Sequence, residues 1–234
     1  MTNLNKIFHT FREGIIMKVP VVRNVLEANE QLAEKNKNLF KEHGLLVLNL
    51  MSSPGAGKTT LLERTIEGLK DKIRIAVIEG DIQSTYDAER IAQKGVVAVQ
   101  INTGGACHLD SRMIQEALKE IDLTDLDLLV VENVGNLVCP AEFEVGEDHK
   151  IMILSVTEGD DKPLKYPLMF AKSSVLLVNK IDLLPYINTS VEQIRKISLG
   201  INPNLEIFEV SCQNRTGLEP WFDWILQRVP HYKK

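Results

Sequence analysis

One stretch of the chain, Ser52-Ser53-Pro54-Gly55-Ala56-Gly57-Lys58-Thr59-Thr60, has the residue types and spacing to hold a chain of phosphates. It follows the Walker A pattern except at the first position, where Ser52 stands in place of glycine. Glycines let the backbone curl so that its N–H groups converge on phosphate oxygens, and the start of a following helix adds partial positive charge. Lys58 would reach the β and γ phosphates, and Thr59 would offer a hydroxyl to Mg²⁺. The alternative is a glycine-rich strand-to-helix turn that binds nothing. A second segment, Asn179-Lys180-Ile181-Asp182, ends a later apolar run about 120 residues on, where ligands bind in open α/β sheets. A carboxylate there accepts from both the ring N–H and the exocyclic amine of guanine, paired donors that adenine lacks. GTP is therefore the expected nucleotide, with a helix-capping Asp182 as the other reading. Ser211-Cys212, after the last apolar run, falls where a loop over the base is expected. Cys212 thus reads as a packing or base-loop residue, and the nucleotide set is Pro54 to Thr60, Asn179, Lys180, Asp182, Ser211 and Cys212.

The candidate catalytic set is Lys58, Thr59, Asp81, Glu132 and Gly135. In Glu132-Asn133-Val134-Gly135 an acid ending a strand would support Mg²⁺, and the glycine would offer its N–H to the γ-phosphate, coupling the next loop to nucleotide state. Asp81 joins Thr59 and Glu132 as a Mg²⁺ candidate and Asp87 is another; each could instead be a turn or helix-start carboxylate. Asn136 stands where some GTPases carry a water-orienting Gln, and its shorter reach predicts slow intrinsic hydrolysis.

Sulfur and imidazole form a third constellation. Cys107-His108 follows the third apolar run and Cys139 follows the fourth, so all three leave the same carboxyl edge of a parallel sheet. If those strands are neighbours, two thiolates and an imidazole converge on a site suited to Zn²⁺ or Ni²⁺. Three ligands are one short of a closed shell, which a symmetric dimer could complete. The competing reading is that buried cysteines are small hydrophobes and adjacent residues point apart. His9, His43, His149 and His231 are scattered and read as surface or capping residues.

The elements that would position these groups follow from pattern. Near-continuous Val, Ile and Leu at 45–50, 73–78, 96–101, 126–131, 151–156, 175–178 and 207–210 predict strands buried on both faces. Helical spacing falls at 58–70, 86–94, 111–120, 164–172, 190–199 and 218–228. This alternation predicts an α/β fold, a mostly parallel twisted sheet of about seven strands with helices on both faces. An amphipathic helix over 21–43, ended by Gly44, precedes it. The expected division is an N-terminal extension and helix over 1–43 and a phosphate-loop nucleotide-binding domain over 44–234; residues 1–20 receive no role.

Composition narrows the function classes. The chain has 234 residues, 44% hydrophobic, with three cysteines, too few and too scattered for a disulfide framework. Its 27 Lys and Arg against 32 Asp and Glu give a net charge of -5, which argues against nucleic acid or an anionic membrane as partner. No apolar run approaches the roughly 18 residues of a membrane span. The N-terminus lacks the pattern of a cleaved leader, so a cytoplasmic location is expected.

Taken together these strings resemble the HypB family, GTPases of nickel incorporation in [NiFe]-hydrogenase maturation, with the urease accessory GTPase UreG as nearest relative. The resemblance spans roughly residues 18 to 229. It rests on Asn24 to Asn29, the Ser-Ser-Pro-Gly-Ala-Gly-Lys-Thr loop, Glu79-Gly80-Asp81-Ile82, Cys107-His108-Leu109-Asp110, Glu132 to Pro140, Glu158 to Pro163 and Asn179 to Asp182. It implies a Mg-GTP hydrolase and a homodimer promoted by GTP, with Ni²⁺ or Zn²⁺ held by Cys107, His108 and Cys139. It further implies a nickel-chaperone partner and a hydrogenase large-subunit precursor as client. UreG carries its ligands in a Cys-Pro-His string, whereas Ala141 follows Cys139-Pro140 here. A metal-binding scaffold with a degenerate nucleotide site is the reading from another class.

Overall fold

The structure is a computed structural model that describes residues 21–81 and 86–230. Its centre is a sheet of strands β1 Leu46–Ser52, β2 Ile75–Asp81, β3 Val97–Asn102, β4 Leu128–Glu132, β5 His149–Ser155, β6 Val175–Asn179 and β7 Glu206–Glu209. Every pairing is parallel and the order is β3-β2-β4-β1-β5-β6-β7. The helices are α1 Val21–Glu42, α2 Lys58–Leu69, α3 Tyr86–Ala92, α4 Ser111–Ala117, α5 Cys139–Glu142, α6 Lys162–Lys165, α7 Pro167–Lys172, α8 Val191–Ile201 and α9 Leu218–Leu226.

Alternation along the central strands supplies both layers. Leu46, Leu48 and Leu50 of β1 face α2 and α9 in one apolar cluster, while Leu45, Val47 and Met51 point the other way. That second face splits in two. One apolar cluster lies under α1 and α4 and holds Phe40, Ile78, Ile114 and Val131; the other lies under α7 and α8 and holds Met152, Met169, Phe170 and Ile194.

Two expectations need correction. The outer strands β3 and β7 are exposed or half-buried along their lengths, because each pairs on one side only. The helix expected over 164–172 is two short helices, since Pro167 has no N–H to continue α6 and pushes Tyr166 to φ -129°, ψ 53°.

Helix α1 also differs from a plain apolar stripe. Phe40 at its end is buried, worth about 1.5–3 kcal/mol. Yet Asn29 and Asn36 share the docked face: Asn29 donates to the Glu144 carbonyl and accepts from Ser111 N–H, both at 2.8 Å. Asn36 donates to the Ser111 and Val145 carbonyls at 3.0 and 3.1 Å. These bonds fix the helix against the loops that follow β3 and β4. Residues 1–20, His9, His231 and Ile82 lie outside the described residues.

Candidate functional site

The loop after β1 wraps one end of a cavity of about 480 Å³ at the carboxyl edge of the sheet. Pro54, Gly55, Gly57, Lys58, Thr59 and Thr60 line it, with Glu79, Gly80, Asp81, Asp87, Arg90, Glu132 to Gly135 and Lys180 opposite. Lys58 Nζ rests 3.0 Å from Ser52 Oγ, so the serine at the variant Walker position parks the lysine ammonium at the cavity floor. Ala56 is buried in the core and contributes its carbonyl rather than a wall.

Glu132 ends β4, its Oε1 accepts from Thr59 Oγ1 at 2.8 Å, and its Oε2 is buried without a partner. Glu79, which the motif reading passed over, stands level with it on the neighbouring strand β2, and its Oε2 is likewise unpartnered. Burial and the neighbouring Glu132 push the Glu79 carboxyl up to about 11, and burial raises Glu132 as well. Two buried carboxyls this close cannot both ionise unaided. The orphaned oxygens and the Thr59 hydroxyl fit a divalent cation, which would relieve both. Asp87, the further candidate, pairs with Arg90 at 2.9 Å, and Arg90 also holds Glu63 at 2.7 Å.

A second cavity of about 380 Å³ adjoins the first and is lined by Gly57, Thr60, Asn179, Lys180, Asp182, Leu183, Cys212 and Gln213. Lys180 adopts φ +64° and sends Nζ to the Gly55 carbonyl at 2.7 Å, while Asn179 Nδ2 holds the Ala56 carbonyl at 2.9 Å. The base segment therefore straps the phosphate loop. Ser211 is fully buried and donates its hydroxyl to Asp182 Oδ1, so it orients the carboxylate rather than lining the cavity. Cys212 is buried, bonds Asn179 Oδ1 at 3.5 Å, and has its thiol pushed up to about 11 by burial, as suits a packing residue.

Cys107, His108 and Cys139 do converge. Cys107 Sγ lies 3.0 Å from Cys139 Sγ and 3.6 Å from His108 Nδ1, and one ligand atom from each residue fits within 4.8 Å of the others. The reason differs from the one expected, because β3 and β4 are not neighbours: β2 runs between them. The loop after β3 instead crosses over the end of β2, where Gly80 has no side chain. A Cβ there would lie 2.7 Å from Leu109, which is fully buried on that spot. Gly80→Ala is expected to lift this loop, costing about 1–3 kcal/mol of stability in a urea titration and weakening metal binding.

Asn136 is turned to this centre rather than to phosphate. Its Nδ2 donates to the Cys107 carbonyl at 3.2 Å and its Oδ1 accepts from Val138 N–H at 2.8 Å, tying the two loops together. His108 packs on Phe143 with ring centroids 3.8 Å apart, and burial holds its pKa below the ordinary value. Burial thus favours the neutral form of the imidazole, the form that ligates a metal. The hydrogen bond from Cys107, then burial, raises the Cys139 thiol. Since a metal needs both thiolates, each proton displaced costs up to about tenfold in affinity per pH unit below the thiol pKa. Metal affinity should accordingly climb steeply from pH 6 to 8 in a competition titration. His149 also departs from expectation: it is half-buried, 3.2 Å from Ser174 Oγ and edge-on to Trp224.

A parallel sheet whose first strand feeds a phosphate loop, with buried acids on the next two strands and an Asn-Lys-x-Asp segment beyond, defines a P-loop nucleoside triphosphatase. Residues 46–209 match the family model described as "CobW/HypB/UreG, nucleotide-binding domain". The hydrogenase maturation factor HypB of Escherichia coli K12 is 52% identical over 202 residues, 86% of this chain and 70% of that one. A probable hydrogenase maturation factor HypB of Methanocaldococcus jannaschii is 38% identical over 91% of this chain and 96% of its own. A crystal structure of HypB from Helicobacter pylori in complex with nickel superposes with TM-score 0.82 at 42% identity, covering 88% of this chain and 98% of that one. The chain belongs to the HypB hydrogenase maturation factors of the CobW/HypB/UreG family. Among the described residues no helix is long and apolar enough to cross a membrane.

Proposed function

We propose that the chain binds Mg-GTP in the two joined cavities, hydrolyses it slowly, and uses the nucleotide state to govern nickel held by Cys107, His108 and Cys139. Lys58 and the backbone of Pro54 to Thr60 hold the phosphates, and Asp182, oriented by Ser211, reads guanine. Thr59, Asp81 and Glu132, with Glu79 beside them, hold the cation, which when bound neutralises phosphate charge. The Asn136 amide beside Gly135 is engaged by the Cys107 carbonyl and Val138 N–H, which supports slow turnover.

One observation carries the coupling. The Glu132–Cys139 segment has one end on the phosphate loop, where a Cβ on Gly135 would lie 3.0 Å from Pro54, and its other end in the metal cluster. A γ-phosphate accepting from Gly135 N–H would move the segment as a piece and alter the thiolate geometry. The nickel in the Helicobacter relative supports nickel as cargo, and zinc suits the same ligands. We assign to the same reading a homodimer promoted by GTP that completes the metal shell, with a nickel chaperone and a hydrogenase large-subunit precursor as partners in the cytoplasm. The domain division is residues 1–43 as an appended extension and 44–234 as the GTPase. Nickel titration in the presence of GDP and of a non-hydrolysable GTP analogue is expected to give affinities or stoichiometries that differ; identical binding in both states would refute the coupling.

A further inference from the structure

The two apolar clusters on the α1/α7 face of the sheet are separated by a seam of buried polar side chains, of which only Asn133 also borders the phosphate cavity. Asn49 of β1 and Asn133 after β4 are fully buried, and Glu147 and Lys150 nearly so. Burying four such groups is unfavourable unless each is bonded, and here they are bonded to one another in a line. Asn133 Nδ2 donates to Asn49 Oδ1 at 3.2 Å, and Asn49 Nδ2 donates to Glu147 Oε1 at 3.1 Å. Lys150, level with Asn49 on β5, lies 3.7 Å from the same Glu147 oxygen.

Both ends of this line finish in the metal loops. Asn133 Oδ1 accepts from the backbone N–H of Leu109, next to His108, at 2.9 Å, and from Val134 N–H at 3.0 Å. At the far end, Lys150 Nζ donates to the Ala141 carbonyl at 3.0 Å and to the Phe143 carbonyl at 3.5 Å, inside and just after the helix that Cys139 begins. The Phe143 ring in turn packs on His108. At its origin the line is fixed to the nucleotide side, since Asn133 is flanked by Glu132, bonded to Thr59, and by the Val134-Gly135 turn against Pro54.

We infer that Asn133 is a positioning residue that carries nucleotide state to both metal loops at once, directly through Leu109 and indirectly through Asn49, Glu147 and Lys150. The inference rests on the nucleotide–nickel coupling proposed above and names its route. A covalent path through Gly135 to Cys139 reaches the Cys107-His108 loop only through Asn136; Asn133 adds a second hold beside His108, so that all three ligands shift together. A rigid, fully bonded seam suits this role because it has discrete arrangements rather than a continuum.

The test measures Ni²⁺ affinity of the full chain by competition with a metal-binding dye, with GDP and with a non-hydrolysable GTP analogue. The thiolate-to-nickel absorption band is recorded in each state. The wild-type affinity ratio between the two states is expected to fall in the range of about 5–150-fold usual for coupled sites. Asn133→Ala should lower the ratio at least about twofold and bring the two absorption spectra closer, leaving what the covalent path through Gly135 carries. Lys150→Met, at a residue that lines neither nucleotide cavity and is no metal ligand, removes the arm to α5 and the contact with Glu147. It should lower the ratio at least about twofold with the affinity for the GTP analogue unchanged, which keeps the test intact if Asn133→Ala fails to fold. A wild-type ratio with both variants' ratios equal to it overturns the relay and leaves the coupling standing. A wild-type ratio of one overturns the coupling itself.

Discussion

Replacing Asp182 with Asn is expected to lower GTP affinity about a hundredfold or more and to create affinity for xanthosine triphosphate. On the proposed reading the Asp182 carboxylate accepts two N–H groups from guanine at the edge of the cavity it shares with Thr60 and Lys180. Each bond to a charged acceptor contributes about 1.5–3 kcal/mol. Asn keeps one acceptor and turns the other into a donor, which meets the exocyclic amine of guanine donor to donor. Xanthine has a carbonyl at that position and a ring N–H beside it, so an amide pairs with both. Ser211 can still donate to the remaining oxygen, because its bond goes to Oδ1 alone. Binding of fluorescent guanosine and xanthosine nucleotides to the two proteins checks this. Unchanged GTP affinity in the variant would mean that Asp182 is a helix-start carboxylate and that the base is read elsewhere.

The second large effect concerns the sulfur ligands. Cys139→Ala is expected to reduce nickel affinity by about a hundredfold or more, given that a full four-ligand shell is worth about 10–16 kcal/mol and one ligand roughly a quarter of it. The fold should tolerate the change, since the thiol is only half-buried and faces the other two ligands. In the absence of nickel, guanine-nucleotide affinity should stay within about twofold, because Cys139 lines neither nucleotide cavity. Cys212→Ala serves as the contrast: it removes a buried packing thiol, so it should alter nucleotide binding or stability and leave nickel untouched.

The central strands were legible because a strand covered on both faces must be apolar throughout, as Leu128 to Val131 and Ile151 to Leu154 are. The same logic fails for Val97 to Ile101, where an edge strand reads as apolar although its residues are exposed or half-buried. The phosphate loop and the base segment were legible from local strings, since a few adjacent residues do each job. Metal convergence was legible only as an outcome. Its cause lies in a sheet order that places β2 between the two loops, and in Gly80, whose missing side chain opens the crossing. Glu79 was passed over because its importance comes from register with Glu132 across a strand pair, which no single segment displays. Asn136 shows the same limit: it follows Gly135 in sequence, yet its side chain faces Cys107, a direction set by the fold of two distant loops. Asn49 inside Leu48-Asn49-Leu50 was a visible interruption of an apolar run whose partners, Asn133 and Glu147, come from distant segments.

Native mass spectrometry of the full chain with Mg²⁺, a GTP analogue and Ni²⁺, beside its Cys139→Ala variant, bears most directly on the claim that one chain joins a guanine-nucleotide site to a nickel site. The account predicts that the wild type holds nucleotide and nickel together, in a dimer, and that the variant holds nucleotide without nickel. Nickel retained in full by the variant, or a wild type that takes up nickel and no nucleotide, would contradict it.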